Sequence, residues 1–350
     1  MSAYRVPSMA EIAAIPLTGL RAVSTFSGCG GSSLGYRMAG IKVLWANEFI
    51  KPAAESYAAN FPDTILDRRD IRTVQPEDIL TACGLAKGEL DLLDGSPPCV
   101  AFSVAGQKRK GPKAQVHSNY SDNVGQRVDD LFFEYIRLLN GLQPRVFIAE
   151  NVPGLAIGKG RGYLLEILRD MRGCGYKVEA KIIDCSWLGV PQARRRLFFC
   201  GVREDQQAEP TFPKPGKQRW VLQDALEATE DREGYRPPPG TRVALAWANL
   251  RIGESDTKYL QLKKCDPKKP CPVICASASG NSGTPPMHYS ECRKFSVGEL
   301  KAIHGFPQDF QLIGSRSENS ERICRAVPPL AMAVIAGHIR DEILWADRPS

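Results

Sequence analysis

A cysteine that directly follows a proline pair has the clearest chemical potential in this sequence. Pro97 and Pro98 separate Cys99 from an apolar run, Leu90 to Leu93. Strand interiors exclude proline, so the pair marks the end of a strand, and two prolines restrict the backbone just before the thiol. A cysteine held in this way is a candidate nucleophile. The alternative is a buried cysteine that packs as a small hydrophobic side chain.

A glycine-rich turn near the N-terminus has the layout of a nucleoside-binding site. A strand predicted to end at Phe26 leads through Gly28 and Gly30 into a helix, and Glu48 ends the next strand about twenty residues on. Glycines let the backbone approach a ligand, the helix N-terminus favours its anionic end, and the carboxylate accepts ribose hydroxyls. Any tight strand-to-helix turn needs glycines, so the turn by itself does not establish a ligand.

Two further side chains would extend this site. Asp70, at a third strand end, could accept a hydrogen bond from an adenine amino group, and Phe49 could supply a stacking face. The alternatives are a surface acid and a core aromatic residue.

Strands and helices alternate through the first 203 residues. The pattern predicts strands at 21–26, 41–46, 65–66, 90–93, 146–149, 175–184 and 197–202, and helices at 32–38, 52–60, 128–139 and 162–172. This alternation predicts a mostly parallel α/β sheet. The polar segment 106–126 has no periodicity, and a connection of that length is typical of a functional or mobile loop.

The composition and the periodicity of the sequence change after Arg203. Residues 204–292 are richer in Pro, Gly and Lys and lack clear alternation, and helical patterns return at 296–304 and 329–344. We therefore predict a large domain over 1–203, a small irregular domain over 204–310, and a C-terminal segment, 311–350, that returns to the first domain.

Composition restricts the class of protein and its partners. Among 350 residues there are 46 Lys and Arg against 39 Asp and Glu, a net charge of +7. That excess suits a polyanionic partner without requiring one. No apolar run spans a bilayer and no secretory signal opens the chain. We expect a cytoplasmic protein, not associated with a membrane, whose 11 cysteines are mostly free thiols.

Five potential metal ligands lie close together late in the sequence. They are Cys265, Cys271, Cys275, His288 and Cys292. Their spacings lack the paired Cys-x2-Cys arrangement of common structural zinc sites. We expect free thiols and no metal.

Several ordered blocks together resemble the cytosine-5 DNA methyltransferases. The blocks are Thr25-Phe26-Ser27-Gly28-Cys29-Gly30-Gly31, Pro97-Pro98-Cys99, Glu150-Asn151-Val152, the Gln192-x-Arg194-x-Arg196 pattern, residues 293–307 and Ala326-Val327-Pro328-Pro329. The resemblance covers roughly residues 21–203 and 293–340. The middle of the chain is not covered, as expected for a region that selects the target.

The resemblance implies a fold, an activity and partners. It implies the Rossmann-like fold of methyltransferases that use S-adenosylmethionine, with helices on both faces of the sheet, and a target-recognition domain over 204–310. The implied activity is transfer of a one-carbon group to C5 of a cytosine flipped out of double-stranded DNA. A monomer of bacterial or phage restriction–modification type is expected in the bacterial cytoplasm or nucleoid, with a cognate restriction endonuclease as a partner.

The resemblance also assigns the reacting groups. Cys99 would add to C6 and make C5 nucleophilic, because C5 of cytosine is too electron-poor to attack a methyl group unaided. Glu150 would hold a proton toward N3, and Arg194 and Arg196 would contact O2 and help to keep Cys99 ionised. The alternatives are a strand-end surface acid and a solvated basic cluster.

The implied cofactor is S-adenosylmethionine. Its expected contacts are Phe26, Gly28, Cys29, Gly30, Gly31, Glu48, Phe49, Asp70, Ile71, Pro97, Arg325, Ala326 and Val327. The loop 101–126 would close over the flipped base, with Lys108, Arg109 and Lys110 available to phosphates.

Three positions depart from the family pattern. Val100 stands where the family usually has Gln, Ala105 where a polar residue often helps to fill the gap in the duplex, and Arg325 where the family usually has Asn. An arginine near the transferable group could pair with a carboxylate, so one hypothesis is that the enzyme uses carboxy-S-adenosylmethionine and makes 5-carboxymethylcytosine. The alternative is that Arg325 turns to solvent or to a phosphate and the enzyme transfers a methyl group.

Two other functions compete with DNA methylation. One is a tRNA cytosine-5 methyltransferase on the same scaffold, against which the separate target domain argues. The other is a methyltransferase-like protein that binds DNA without turnover, against which the presence of Cys99, Glu150 and Arg196 argues. The sequence shows no readable code for the DNA recognition sequence.

Overall fold

The computed structural model describes residues 3–98, 131–158, 160–259, 261–275 and 284–346. The strands are β1 (Arg21–Thr25), β2 (Lys42–Asn47), β3 (Ile65–Asp67), β4 (Leu92–Gly95), β5 (Val146–Asn151), β6 (Tyr176–Asp184), β7 (Gln192–Ala193), β8 (Arg195–Arg203), β9 (Lys263–Lys264), β10 (Cys271–Pro272) and β11 (Pro286–Met287).

The helices alternate with these strands as far as β6. They are α1 (Met9–Ala14), α2 (Gly31–Met38), α3 (Lys51–Asn60), α4 (Pro76–Cys83), α5 (Leu131–Leu142), α6 (Gly160–Gly173), α7 (Leu222–Glu227), α8 (Arg242–Asn249), α9 (Val297–His304), α10 (Arg316–Arg325) and α11 (Pro329–Ile339). Short 3₁₀ turns span Ile71–Thr73, Pro153–Ala156 and Cys185–Trp187, and a π-helical turn spans Arg340–Leu344. Within the described ranges, no helix has both the length and the apolar character needed to cross a membrane.

The chain forms two compact units that interleave along the sequence. The sheet unit consists of Ile15–Ile183, Arg195–Lys214 and Met332–Ser350. The second unit consists of Met1–Ala14, Asp184–Arg194 and Pro215–Ala331.

A seven-stranded sheet forms the centre of the sheet unit, in the order β3-β2-β1-β4-β5-β8-β6. The pairs β1–β2, β2–β3, β1–β4 and β4–β5 are parallel, which confirms the predicted mostly parallel sheet. Strand β8 runs antiparallel to β5. Its neighbour β6 is joined to it by residues 185–194 alone, too short for the crossover helix that parallel neighbours need.

Helices cover both faces of this sheet, as predicted. Successive strand residues point to opposite faces. Leu93 of β4 packs in a core cluster with Tyr135 and Leu139 of α5. The next residue, Asp94, points the other way and accepts a hydrogen bond from Tyr36 of α2. Helices α2 and α5 therefore lie on opposite faces.

The order of the strands indicates where a ligand crevice lies in this sheet. The chain lays β2 and β3 on one side of β1 and then puts β4 on the other side. In open α/β sheets, ligands bind at the carboxyl ends of the strands beside such a reversal. Here Thr25 lies opposite Gly95, and a Cβ on Gly95 would come within 2.5 Å of both Thr25 Oγ1 and the Tyr135 ring. Glycine is required for this close approach.

The second unit contains helices that the sequence pattern did not predict. Helices α7 and α8 lie in the segment 204–292, which was expected to be irregular. Both are short, and polar caps hold their first turns: Asp224 accepts from the Val221 N–H at 2.8 Å, and Thr241 accepts from the Ala244 N–H at 3.4 Å. At six and eight residues, they are too short to show the long apolar periodicity that reveals a helix in a sequence.

Candidate active site

The turn between β1 and α2 has an unusual backbone. Phe26, Gly28 and Gly30 have φ angles of 53°, 57° and 100°, in the left-handed region that favours glycine. Phe26 adopts this region without being a glycine, at a cost on the order of 1 kcal/mol, and its carbonyl accepts a hydrogen bond from Ser96 Oγ at 3.0 Å. A Cβ on Gly28 would meet nothing within 4 Å, so the turn borders open space.

Glu48 joins the end of β2 to this turn. Its Oε2 accepts from the Gly28 N–H at 2.8 Å and its Oε1 from the Ile50 N–H at 2.7 Å. Each carboxylate oxygen can accept more than one hydrogen bond, so contacts with ribose hydroxyls remain compatible with these bonds. The adjacent Phe49 ring is 36% exposed, which leaves it accessible for stacking.

Asp70 and Ile71 have roles of their own in the local structure. Asp70 accepts from the Arg72 N–H at 3.0 Å and pairs with the Arg72 guanidinium, also at 3.0 Å. Ile71 is buried in the core cluster, and its carbonyl accepts a hydrogen bond from the Arg137 guanidinium at 3.0 Å. Cys29 is also buried, and Gly31 begins α2. The predicted adenine contact of Asp70 stays a prediction. It would have to coexist with the contacts that Asp70 makes to Arg72.

Asn151 connects β5 to the segment that leads to the predicted nucleophile. Its Nδ2 donates to the Pro97 carbonyl at 3.1 Å, and its Oδ1 accepts from the Val152 N–H at 2.8 Å. We assigned no role to Asn151 from the sequence, although it stands in the Glu150-Asn151-Val152 block. Cys99 lies outside the described residues, as do Val100, Ala105, the loop 101–126 and its cations Lys108, Arg109 and Lys110.

Glu150 and Arg196 form an ion pair at the end of the sheet. Arg196 Nε lies 2.9 Å from Glu150 Oε1, and the two side chains are 14% and 12% exposed. Glu150 lies opposite Phe198 in the antiparallel β5–β8 pair. Arg196 is two residues from Phe198, so it projects on the same face as Glu150 in a diagonal position. The register of these two strands therefore brings together two of the residues predicted to be catalytic.

In the second unit, Arg194 binds the end of a helix. Its guanidinium donates to the carbonyls of Cys324 and Ala326, each at 3.0 Å, and to that of Arg325 at 3.5 Å. Arg194 is 2% exposed. Because these carbonyls lie at the C-terminus of α10, a cation there satisfies backbone acceptors and complements the helix dipole. The predicted contact of Arg194 with cytosine O2 stays a prediction.

The block 325–327 begins at the last residue of α10, which is the unusual arginine. Arg325 Nε donates to Glu321 Oε1 at 2.9 Å, one helical turn earlier. Val327 is buried and Ala326 is half-buried. A carboxylate partner within the chain therefore already contacts the Arg325 guanidinium.

The cysteines late in the chain carry no metal-binding geometry. Cys265, Cys271, Cys275 and Cys292 are free. Among the described residues, no group of three or more His, Cys, Asp or Glu side chains could hold a metal ion. Burial lowers the pKa of His288 to about 4, so this imidazole is neutral at physiological pH.

Comparison with known proteins defines the class to which this fold and site belong. The model of the C-5 cytosine-specific DNA methylase family matches residues 20–237 and 243–341. The chain belongs to this family.

Curated relatives and solved structures agree with this result. The chain is 29% identical over 344 residues to the Type II methyltransferase M.NgoFVII of Neisseria gonorrhoeae, covering 91% of this chain and 85% of the relative. It is 28% identical over 337 residues to M.NgoPII of the same organism, covering 90% and 93%. The crystal structure of a candidate DNA modification methyltransferase from an E. coli prophage has a TM-score of 0.73 at 21% identity, covering 93% of this chain and 99% of that one, and shows the shared fold.

Membership of the family implies S-adenosylmethionine as the methyl donor. The carboxyl ends of β1 and β2 fit an adenosyl group. Open space lies beside Gly28, the Glu48 carboxylate is held at the turn, and the Phe49 ring is accessible. These residues would hold the nucleoside part of the cofactor, which supplies an electrophilic carbon on a positively charged sulfur.

Proposed function

We propose that this protein methylates C5 of cytosine in double-stranded DNA through a covalent bond between Cys99 and C6. The observation that carries the proposal is the Glu150–Arg196 ion pair. It places a carboxyl group and a guanidinium side by side near the segment that leads to Cys99, and Asn151 holds that segment at Pro97.

The reaction needs three groups from the protein. The Cys99 thiolate forms the S–C6 bond, ring electrons shift toward N3, and N3 takes a proton from Glu150. C5 is then enamine-like and would bond to the carbon that the cofactor supplies, as the bond from that carbon to sulfur breaks and leaves a neutral thioether. Water, acting as the base, then takes the C5 proton, the electrons of that C–H bond re-form the C5–C6 double bond as the thiolate leaves C6, and N3 returns its proton to Glu150.

The ion pair suggests how Glu150 gains the proton that it must donate. A guanidinium in contact with a carboxylate favours its charged form. When a flipped cytosine enters, Arg196 turns to its O2 and stabilises the charge that develops on the ring. Glu150 then loses part of its cationic partnership, and its carboxyl group takes up a proton more readily.

Arg194 acts on the backbone in this proposal. Its hydrogen bonds to the carbonyls of residues 324–326 hold the block that the family resemblance places at the methionine end of the cofactor. We therefore assign Arg194 a positioning role, and Arg196 the contact with O2.

The biological setting follows from the relatives. Those reported above are named Type II methyltransferases, which supports a role in restriction–modification with a cognate endonuclease. We propose that residues 204–310 select the DNA target, that the C-terminal segment, 311–350, returns to the catalytic domain from residue 332 onward, and that the enzyme acts as a cytoplasmic monomer.

Covalent trapping tests the proposal. Duplex DNA carrying 5-fluorocytosine at the target site cannot lose a C5 proton, so the complex with Cys99 should persist in denaturing electrophoresis. Sequencing the DNA of an expressing host for modified cytosines supplies the target site. A Cys99→Ser variant that still methylates DNA would overturn the mechanism. Wild-type protein that forms no covalent complex on that site would support the non-catalytic binding alternative.

Carboxymethyl transfer is the second candidate, and Arg325 is the reason to test it. The hypothesis assigns its guanidinium to the carboxylate of carboxy-S-adenosylmethionine. The contact with Glu321 means that this pairing would have to compete with a carboxylate of the chain. Mass spectrometry of DNA reacted with both cofactors in competition decides between them, and an exclusively methylated product would exclude carboxymethyl transfer.

A nuclease assay distinguishes a tRNA substrate from a DNA substrate. The labelled product of a reaction with total nucleic acid should be sensitive to deoxyribonuclease and resistant to ribonuclease. The reverse result would identify RNA as the acceptor.

A further inference from the structure

Asp94 is a buried acid to which the proposed reaction gives no role. It is 2% exposed and lies on β4 opposite Ser24 of β1, next to the crevice where the strand order reverses. Its Oδ2 accepts from Ser24 Oγ at 2.8 Å, and its Oδ1 accepts from the Tyr36 hydroxyl at 3.0 Å. Burying a carboxyl group on a central strand costs free energy unless hydrogen-bond donors such as these two hydroxyls compensate for the lost water.

A short chain of hydrogen bonds connects this acid to the glycine-rich turn. Ser27 Oγ donates to the Ser24 carbonyl at 2.9 Å and lies 3.1 Å from Ser24 Oγ. Ser24 Oγ in turn donates to Asp94. Ser27 directly precedes Gly28, whose N–H is bound by Glu48. Asp94 is therefore connected, through two serines, to the turn that would hold the cofactor.

We propose that the Asp94 carboxylate makes this site prefer the positively charged sulfonium cofactor over the neutral thioether that remains after transfer. The inference rests on the proposed use of S-adenosylmethionine and names the residue that would separate substrate from product at that site.

Charge is the main chemical difference between the two molecules. S-adenosylmethionine and S-adenosylhomocysteine share the adenosine and the amino-acid group, so contacts with Glu48 or Phe49 bind both. They differ by one methyl group and by the positive charge on sulfur. A negative charge enclosed in low-dielectric surroundings distinguishes a cation from a neutral molecule, and it acts over several ångströms because water does not screen it.

The protonation of Asp94 makes this preference measurable. Burial raises the pKa of Asp94, the hydrogen bonds from Ser24 and Tyr36 lower it, and the charge of Glu150 on β5 raises it; together these effects bring it to about 7. Tyr36 on α2, Tyr57 on α3 and, on the opposite face of the sheet, Tyr135 on α5 also interact electrostatically with this group, and the pKa of each is raised by burial. The three tyrosines therefore stay neutral near pH 7, where Asp94 changes its charge.

The sign of the pH effect follows directly. Below pH 7 the carboxyl group is protonated and neutral, so it gives no advantage to the sulfonium. As the pH rises through 7 the carboxylate forms and attracts the sulfonium, and binding of S-adenosylmethionine is accompanied by release of a proton. Binding of S-adenosylhomocysteine gains nothing from this charge.

Isothermal titration calorimetry at pH 5.5, 6.5 and 7.5 tests the inference on the wild-type protein. We expect the affinity for S-adenosylmethionine to rise about fivefold or more over this range, and that for S-adenosylhomocysteine to change less than twofold. Parallel pH profiles for the two ligands would overturn the inference while leaving the proposed function intact. Absence of S-adenosylmethionine binding at every pH would overturn both.

Two matched variants assign the effect to one carboxyl group. Asp94→Asn should bind S-adenosylmethionine with an affinity that no longer rises with pH, while its affinity for S-adenosylhomocysteine is kept. Tyr36→Phe retains the carboxyl group but removes a hydrogen bond that favours its charged form, so it should keep the preference with a midpoint at higher pH. An unchanged pH profile in Asp94→Asn would contradict the inference. If that variant does not fold, the wild-type comparison of the two ligands still decides.

Discussion

Arg196 and Glu150 meet at 2.9 Å because β5 and β8 run antiparallel in a register that puts Glu150 opposite Phe198. Both side chains are largely buried, so solvent screens their interaction less than it would on an open surface. The register of β5 and β8 therefore fixes the positions of both members of the pair.

Replacing Arg196 should lower the rate of transfer with little effect on DNA binding. In Arg196→Gln the charged donor for O2 is lost, and loss of one such donor costs roughly 10²–10³ in rate. Single-turnover methylation with saturating DNA measures the effect. The exposed neighbour Arg195 provides the control, since Arg195→Gln should react at nearly the wild-type rate. Equal losses in both variants would mean that positive charge in general, and not contact with the base, explains the result.

Removing the amide donor of Asn151 should release the segment at Pro97. Asn151→Asp keeps an oxygen that can accept from the Val152 N–H, but it loses the donor to the Pro97 carbonyl. An unsatisfied buried carbonyl costs about 1–3 kcal/mol. We expect slower covalent trapping on 5-fluorocytosine DNA, by about tenfold or more. The exposed Asn140 gives the control Asn140→Asp, and a trapping rate unchanged in Asn151→Asp would argue against this tether.

Glu48→Gln should weaken cofactor binding. The carboxylate accepts from two backbone N–H groups at the turn, whereas an amide offers only one oxygen and brings a donor toward one of them. We expect the Kd for S-adenosylmethionine to rise about tenfold or more in calorimetry, since charge-assisted hydrogen bonds contribute about 1.5–3 kcal/mol each. The exposed Glu77 supplies the control Glu77→Gln. A normal Kd in Glu48→Gln would remove Glu48 from the cofactor site.

The buried Asp94 should make the protein less stable as the pH rises. Its pKa in the folded state is about 7, above the unfolded value of 3.8, so the folded protein binds more protons between these values. The free energy of unfolding therefore falls as the pH rises from about 4 to about 7 and then levels off.

Urea denaturation at pH 5.5 and pH 8 measures this loss. Ionisation of Asp94 should remove on the order of 2 kcal/mol between these two values, and Asp94→Asn should remove this dependence. The free energy of unfolding of the variant relative to wild type should therefore be higher at pH 8 than at pH 5.5. An equal effect at both values would show that the carboxyl group does not titrate with a raised pKa.

Much of the architecture could be predicted because it follows from local patterns. The apolar segments between residues 21 and 202 and the helices between them are properties of short stretches, and their alternation favours a mostly parallel sheet. Helices α7 and α8 were not predicted, because they are only six and eight residues long and stand in a segment rich in Pro, Gly and Lys. Strand β8 pairs with β5 in the antiparallel direction, and a pairing between segments far apart in the chain is not expressed in any local pattern.

The sequence by itself determined the residue types of the site and, through the order of its motifs, the family to which the chain belongs. Only the tertiary structure decided which of those residues meet. Arg196 contacts Glu150, Asn151 contacts Pro97, and Asp94 contacts Ser24. Each contact joins residues far apart in the chain, and each exists because strand order and register place them together. Those features depend on the packing of the whole sheet, which local sequence does not specify.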